Sequence, residues 1–586
     1  NEMNSKISRA PNNTLVNPLT QTTAYPHQCV GTSEGDQSQT RSAAVIHCRA
    51  VFIRPLTTVF SSQDPDYHYP SRRSSVHARN IVATSQPLAT QAGLTALERG
   101  GNAVDAAIAS AITLTVVEPT MNGIGSDAFA IVWDGQDLHG LNASGRSPAA
   151  WTPARFNQYK EMPWPGWDCV TVPGAVDAWV QLSERFGVLP FDDLFEAGIR
   201  AANDGFAVSP VIAAQWAKDA RNFSHLPAFA DTFLPGGTAP RAGDIFRCQD
   251  QARTLEEIAR THGESFYRGP LAEAMAADAQ THGADMTLRD LADHKSHWVE
   301  CISQDFRDLS IHEIPPNGQG IATLVALGIL EHLDVEAHPL DSADSIHLQM
   351  EAMKIAFAET HRHVADPESM EVTVAELLDP DQLARRAASI DPVKSSTPSA
   401  EIRPDHGTIY LSTADQSGMM VSYIQSNFTG FGSGIVVPDT GISLQSRGRG
   451  FVLEPGHANE VGGGKRPYHT IIPAFITRQG EPVASFGVMG GHMQPQGHLQ
   501  MVLRMFCQRL SPQQALDAPR WFVATDFSVW LEPGLSSLRS DLEARGHRFV
   551  DPNKEGVFGG GQIIVRAPGG YVAGSDPRKD GLAAGF

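Results

Sequence analysis

Residues 405–415 read Asp405-His-Gly-Thr408-Ile-Tyr-Leu-Ser-Thr-Ala-Asp415, a run in which one side chain is placed for covalent chemistry. A threonine hydroxyl is a weak nucleophile unless a base stands beside it. A cut just before Thr408 would supply that base, because the new α-amine, with a pKa of about 7.7–8.0, is partly free near neutrality. Gly407 suits such a cut, since glycine reaches strained backbone conformations that bring the next hydroxyl against the preceding carbonyl. The β-rich run that follows would hold the nucleophile rigidly. Alone, Gly-Thr before a strand is a common pattern. The run Gly559-Gly-Gly561 says less still as a nucleotide site, because it lacks the strand–helix context that phosphate cradles need.

The elements that must position Thr408 can be read on both sides of it. Residues 80–85 predict a short strand, and Pro87 opens a helix over 87–97 that Gly100-Gly101 stops. Asn102 is a good N-cap with Asp105 three residues on. The helix over 103–117 is Ala, Ile, Val and Leu on nearly every side, which predicts burial. It ends before Pro119 and the turn Asn122-Gly-Ile-Gly-Ser126. Residues 180–400 read as mainly helical. After Gly407 the pattern turns β-rich, with strands expected at 409–413, 419–424 and 471–475 and helices at 500–509 and 535–545. Strands mixed with long helices predict a layered α/β sandwich.

Composition bounds the function. The 586 residues allow one large domain or two packed halves. Hydrophobic residues make up 41% and charged residues 19%, as in a soluble enzyme. The net charge of −20 repels phosphate backbones and argues against nucleic-acid partners. Cys29, Cys48, Cys169, Cys248, Cys301 and Cys507 have no CxxC spacing, so neither a metal knuckle nor a disulfide framework is expected. The most apolar stretch, 106–117, is short of the roughly 20 residues a bilayer span needs. Residues 1–77 are rich in Ser, Thr, Asn, Gln and Pro and read as a disordered extension or leader. The expectation is a soluble protein, of the cytoplasm by preference, with a signal peptide ahead of Asn1 left open.

A set of motifs accompanies Thr408. Upstream stand Gly100-Gly-Asn-Ala-Val-Asp-Ala-Ala107 and Val117-Glu-Pro-Thr-Met-Asn-Gly-Ile-Gly125. Downstream come Asn427, Phe431-Gly-Ser-Gly-Ile435, Gly464-Lys-Arg-Pro467, Met489-Gly-Gly-His492 and Gly574-Ser-Asp-Pro-Arg-Lys-Asp-Gly581. In this order they resemble the γ-glutamyltransferase family over 79–586. The resemblance implies a four-layer αββα sandwich of the N-terminal-nucleophile (Ntn) hydrolases. It implies self-cleavage at Gly407–Thr408 into a large subunit, 78–407, and a small catalytic subunit, 408–586, that stay together. Thr408 would attack an amide and form an acyl-enzyme, released by water or an amine acceptor. Gly490 and Gly491 match the pair that donates backbone N–H groups to the oxyanion, where fixed donors in a dry site matter most. Asn427 matches a residue that orients the nucleophile. Either Gln425 or Ser426 stands where the family often has a second threonine. No cofactor and no metal is implied.

The sequence departs from the family where an acyl group would be gripped. The acid that takes a γ-glutamyl α-ammonium reads Gly450, with Arg447 and Arg449 beside it. The usual Ser-Ser pair reads His469-Thr470. The usual carboxylate-binding Arg position reads Ser144, with Arg146 two residues on. Arg146, Arg447, His469 and Thr470 are therefore the expected substrate contacts, together with Gln425 or Ser426. Arginine binds carboxylate bidentately, so the site is expected to favour acyl groups with a carboxylate and no ammonium. The segment 451–464 is short for a lid, which favours water as acceptor. The substrates in contention are γ-glutamyl compounds such as glutathione, oxo-acid amides such as oxamate, and dicarboxylic acyl amides such as glutaryl side chains. The contrasting reading is an unprocessed relative that only binds. A small-molecule amide is the expected partner, and a higher oligomer is left open.

Overall fold

Two antiparallel sheets carry the site, and their strands come from both sides of Thr408. The computed structural model describes residues 73–398, 407–550 and 556–586, all within one unit that runs from Thr58 to Phe586. The expected extension up to residue 72, Cys29, Cys48, Asp405 and His406 lie outside the described residues.

The sheet strands in chain order are β1 (Val76–Ala78), β2 (Ile81–Thr84), β3 (Asp127–Trp133), β4 (Leu138–Ala143), β5 (His297–Val299), β6 (Ile302–Phe306), β7 (Leu309–Glu313), β8 (Ile409–Ala414), β9 (Met420–Ser426), β10 (Ala474–Arg478), β11 (Glu481–Met489), β12 (Gly560–Ala567), β13 (Gly570–Ser575) and β14 (Leu582–Gly585). One seven-stranded sheet has the order β14-β2-β8-β9-β3-β4-β5, the other β1-β13-β12-β11-β10-β7-β6.

Strand periodicity shows the layering. In β3, Ala128, Ala130 and Val132 face a core shared with helices, whereas Phe129, Ile131 and Trp133 face the other sheet. In β12, Ile563 and Val565 join a second helical core, and Ile564 joins the inter-sheet core. A period of two with both faces buried requires cover on each side. Helix α1 (Pro87–Glu98), α2 (Ala103–Val117) and α3 (Ala175–Phe186) belong to the layer over the first sheet. Helix α4 (Gly320–Glu331), α5 (Ala343–His363) and α6 (Met493–Val502) belong to the layer over the second. The architecture is the four-layer αββα sandwich.

Helix α2 is buried along its whole length. Its start is a capping box: the Asn102 side chain accepts from Val104 and Asp105 N–H while Asp105 returns a bond to Asn102 N–H. Asp415, just past the end of β8, accepts the Ala103 N–H at 2.7 Å, so the strand that follows Thr408 is tied to this helix.

Other expectations shift. Besides its helices, the run 180–400 holds the two-residue strand pair Phe206–Ala207 and Ile245–Phe246 and the sheet strands β5 to β7. Their short lengths and alternating exposed polar residues conceal them from a helical reading. The strand expected at 471–475 begins at Ala474, and the helix expected at 500–509 begins at Met493 and loosens into a wide turn over Leu503–Cys507. The helix expected at 535–545 is a tight turn over Pro533–Leu538 followed by Arg539–Ala544. Cys169 and Cys248 are buried free thiols, and Cys301 and Cys507 are partly buried. Among the described residues, no helix is long and apolar enough to cross a membrane.

Candidate active site

Thr408 sits immediately before β8, beside the last residue of β9. Ile409 pairs with Gln425 and Leu411 with Tyr423; one step on, the antiparallel register sets Thr408 opposite Ser426. The side chain of Thr408 is buried, and its Oγ1 lies 2.6 Å from the carbonyl oxygen of Gly407 and 3.2 Å from Ser426 Oγ. Ser426 Oγ donates to the same carbonyl at 2.8 Å. Gly407 has φ +100°, and a Cβ there would fall 2.8 Å from Gly430 N and 2.9 Å from Phe428 O. Both the conformation and the space therefore require glycine. Gln494 Nε2 stands 3.5 Å from Thr408 Oγ1, and its Oε1 accepts the Ile472 N–H.

Gly407 and Thr408 open on a cavity of about 610 Å³. Its wall includes Gly490, the aromatic side chains Trp164, Phe522 and Trp530, the cations Lys218, Arg449 and Lys579, and the acids Asp219 and Asp526. Gly490 and Gly491 have φ +121° and +60°. Their carbonyls accept from Met493 and Gln494 N–H, while no hydrogen bond among the described residues uses their own N–H groups. A Cβ on Gly490 would fall 2.9 Å from Gly559 Cα, so that turn closes only with glycine. Arg449 donates to Thr429 Oγ1 at 3.0 Å and lies over the Trp164 ring at 5.0 Å. Burial lowers the pKa of Lys579, while the nearby acids Glu118, Asp576, Asp580 and Asp219 raise it. Burial raises Asp219 to about 6 against the pull of Lys218 and Lys579.

A second group of polar side chains lies buried behind Ser426. Arg447, with no exposed surface, donates from Nη2 to Ser426 Oγ at 3.0 Å and from Nη1 to Thr470 Oγ1 at 2.8 Å. Its guanidinium lies over the Phe428 ring at 4.3 Å. His469 Nδ1 accepts the Ile471 N–H, which puts the ring proton on Nε2, 3.1 Å from Asp127 Oδ2. Burial takes His469 well below the usual histidine range, and burial lifts Asp127 to about 7 despite Arg447 nearby. Although the two atoms are within ion-pair distance, the pair is held neutral.

The remaining expected contacts are placed elsewhere. Asn427 Oδ1 accepts from Ser126 Oγ at 2.8 Å and its Nδ2 faces Ser443 Oγ; it makes no hydrogen bond to Thr408. Gln425 points to the helical layer, where it bonds Asn122 Oδ1, Trp179 Nε1 and Tyr423 OH. Of the two neighbours, Ser426 meets Thr408. Arg146 is not part of the cavity wall: its Nη1 is held by Asp366 Oδ2 at 2.9 Å and Gly464 O at 2.7 Å.

Gln494, Gln319 and Lys579 went unweighed in the sequence. Gln319 Nε2 bridges the carbonyls of Thr470 and Gly491 at 2.6 and 2.9 Å. Lys579 lies inside the C-terminal motif, whose position at the chain end was its only signal. Among the described residues, His347, Glu351 and His547 have spacing that could hold a metal. Their atoms are already engaged with each other: His347 Nδ1 meets His547 Nε2 at 2.8 Å, and Lys354 Nζ meets Glu351 Oε1 at 2.8 Å. They form a clasp on the chain at 391–396, to which Glu351 accepts Ser396 N–H and His347 faces Asp391 O.

Comparison with known proteins decides the family. The sequence profile described as Gamma-glutamyltranspeptidase matches residues 89–586. The chain belongs to this family. It is 34% identical over 536 residues to the oxamate amidohydrolase proenzyme of Klebsiella pneumoniae subsp. pneumoniae, covering 88% of this chain and 99% of that one. It is 32% identical over 534 residues to the glutathione hydrolase-like YwrD proenzyme of Bacillus subtilis, covering 88% and 100%. The crystal structure of a cephalosporin acylase from Bacillus halodurans superposes with a TM-score of 0.83 at 45% identity, covering 90% of this chain and 99% of that chain. The fold is that of the Ntn hydrolases, and the chain is a family enzyme of the hydrolase and acyltransferase type.

Proposed function

We propose that the chain is a self-processing amidohydrolase that cuts itself at Gly407–Thr408 and then uses Thr408 to open amides with a carboxylate-bearing acyl group. Residues 78–407 and 408–586 would be its large and small subunits. The observation that carries this reading is Thr408 Oγ1 packed 2.6 Å from the carbonyl oxygen of Gly407 at the edge of a cation-bearing cavity. The α-amine freed by the cut acts as base to the threonine hydroxyl. The unused N–H groups at Gly490 and Gly491 then receive the oxyanion, worth roughly two to three orders of magnitude in kcat. Asn427 steadies the strand end beside Ser426, and Gln425 anchors that strand to the helices.

Carboxylate preference rests on the charges. Arg447 lies behind Ser426, and Arg449, Lys218 and Lys579 line the cavity. Position 450 has no acid and no space for one, because a Cβ there would meet Tyr468 O at 2.4 Å. The relatives named oxamate amidohydrolase and cephalosporin acylase fit this reading better than the one named for glutathione. Hydrolysis is favoured over transfer: the segment 451–464 folds on itself through paired bonds between Val452, Asn459 and Val461, and none of it lines the cavity. The test is mass spectrometry of purified protein, then turnover of γ-glutamyl-anilide, oxamate and glutaryl amides. One unbroken chain without turnover of any of them would overturn the reading.

A further inference from the structure

We propose that Arg447 is a positioning residue for Thr408 that acts through Ser426, fixing the direction of the serine proton for self-cleavage and placing a permanent positive charge behind the nucleophile. The inference rests on the reading of Thr408 as the self-cleaving residue and adds a residue that need not touch substrate.

The argument is one of lone pairs. A serine hydroxyl has one proton and two acceptor sites. At Ser426 Oγ both acceptor sites are taken, by Phe428 N–H at 2.8 Å and by Arg447 Nη2 at 3.0 Å; the Thr408 hydroxyl, 3.2 Å away, has its nearer acceptor in the Gly407 carbonyl at 2.6 Å. The proton is left to donate to the Gly407 carbonyl, 2.8 Å away. That carbonyl is the one Thr408 attacks. A hydroxyl whose lone pairs are held by a guanidinium is a stronger donor than one held by neutral groups. Arg447 is itself fixed by Thr470 Oγ1 on its other nitrogen and by the Phe428 ring beneath it. Phe428 keeps a positive φ of 75°, the turn that aims its N–H at Ser426. The neighbouring ionisable groups leave Arg447 as the local charge: His469 is held neutral by burial, and Asp127 is pushed up to about 7. Arg466 lies further along the same buried group and influences both.

In the cleavage step, Thr408 Oγ1 forms a bond to the Gly407 carbonyl carbon, and the carbonyl oxygen gains charge against the Ser426 proton. The C–N bond then breaks, and the threonine hydroxyl proton goes to the departing nitrogen, which becomes the α-amine. Water hydrolyses the resulting ester, leaving the Gly407 carboxylate and the free Thr408 hydroxyl. In the processed enzyme the same cation lies two hydrogen bonds from Thr408 Oγ1, by way of Ser426 Oγ, and its charge disfavours a protonated α-amine on that residue and lowers the amine's pKa.

Self-cleavage needs no external substrate, which separates this role from substrate binding. The experiment follows conversion of freshly made precursor by intact-mass analysis for wild type, Arg447→Met, Arg447→Lys and Ser426→Ala, with melting temperature as the folding check. Arg447→Met is expected to cleave at least tenfold more slowly, and Arg447→Lys, which keeps the charge, to recover most of the rate. In Ser426→Ala, adding Arg447→Met is expected to change the cleavage rate no further. The acid limb of kcat in processed Arg447→Met is expected to rise by about one pH unit, and that of Arg447→Lys to stay. Wild-type cleavage rate in Arg447→Met, with only KM raised, would overturn the proposal and leave Thr408 as self-cleaving nucleophile. If Arg447→Met does not fold, Arg447→Gln takes its place singly and in Ser426→Ala, and independent, additive effects of the two substitutions would overturn the proposal. A wild-type chain that never splits at Thr408 would overturn the underlying reading, and this proposal with it.

Discussion

Thr408 and Ser426 face each other across neighbouring strands with their hydroxyl oxygens 3.2 Å apart. The pairing follows from the β8–β9 register, and a one-residue slip would replace Ser426 with Gln425, whose side chain serves the opposite face of the sheet. The hairpin therefore selects the partner of Thr408 before any side-chain chemistry begins.

The first prediction concerns that pair. Thr408→Ala is expected to remain one chain of full length, and Thr408→Ser to split, because serine retains the attacking oxygen. Denaturing gels and N-terminal sequencing decide it: a small fragment beginning at residue 408 in wild type, and no such fragment in Thr408→Ala.

Gly490 gives the second. Its φ of +121° disfavours any side chain, and a Cβ would press on Gly559 Cα. Gly490→Ala should rotate the peptide whose N–H the proposed oxyanion role uses. The expected loss is about 10²–10³ in kcat with little change in KM, measured on protein whose circular dichroism matches wild type. Near-normal turnover would remove this pair from the oxyanion role.

Arg146 yields a third expectation, and it reverses the sequence reading. Its guanidinium is spent on Asp366, which also accepts the Arg466 N–H, and on the Gly464 carbonyl. It ties three segments together outside the cavity wall. Arg146→Ala should lower the melting temperature by about one to two degrees, as a loss of about 1–2 kcal/mol does in a chain of this size. KM should stay within about twofold, as expected when no substrate contact is lost. A tenfold rise in KM at unchanged stability would return Arg146 to the substrate.

What the sequence disclosed and what it hid have physical causes. The capping box at Asn102 and the all-apolar helix after it depend only on neighbours in the chain, so both were legible at their boundaries. The strands β5 to β7 were not, because they are only three to five residues long and mix polar with apolar residues as a helix surface does. Gly407–Thr408 was legible from local chemistry and the motifs around it. The engagement of Arg146 by Asp366, 220 residues away, left no local trace. Neither did the roles of Gln494 and Lys579, whose relation to Thr408 exists only once the two sheets close.

The fourth prediction uses pH. His547 is buried against His347 and the Lys354 ammonium, and its pKa lies well below the usual histidine value, with desolvation the largest cause and Lys354 next. The unfolded chain binds a proton at His547 below about pH 6.5 and the folded chain does not, so stability is full above that pH and falls as the pH drops, by about 1.4 kcal/mol per unit. His469 behaves differently. It is neutral beside an Asp127 that stays protonated up to about pH 7. Between about pH 4 and 6.5 the folded pair and its unfolded counterpart each hold one proton, and the pair adds no slope. Chemical denaturation of wild type and His547→Gln at pH 7 and pH 5 tests this. The variant should lose less stability on acidification, and parallel losses would show that the clasp on 391–396 is not acid-sensitive.

The last prediction is selectivity. An α-ammonium entering this site would leave water for a wall that carries Arg449, Lys218 and Lys579, with Arg447 fully buried behind Ser426. That wall also carries Asp219 and Asp526, but its three cations outnumber its two acids, so a carboxylate is better matched there than an ammonium that gives up its hydration. An amide whose acyl group bears only a carboxylate is therefore expected to have a higher kcat/KM than its γ-glutamyl counterpart, by about tenfold or more, the equivalent of roughly 1.4 kcal/mol in the transition state. Installing an acid at position 450 would not test this cleanly, since its Cβ would collide with Tyr468 O at 2.4 Å. Arg449→Gln is the better probe. It removes one charge from the cavity wall while keeping a donor for Thr429 Oγ1. It should lower kcat/KM for the carboxylate-only amide more than for the γ-glutamyl amide, narrowing the ratio between them. A wild-type preference for γ-glutamyl-anilide would instead assign the ammonium to Asp219 or Asp526, the two acids of the wall, and Asp219→Asn and Asp526→Asn would then identify which one receives it.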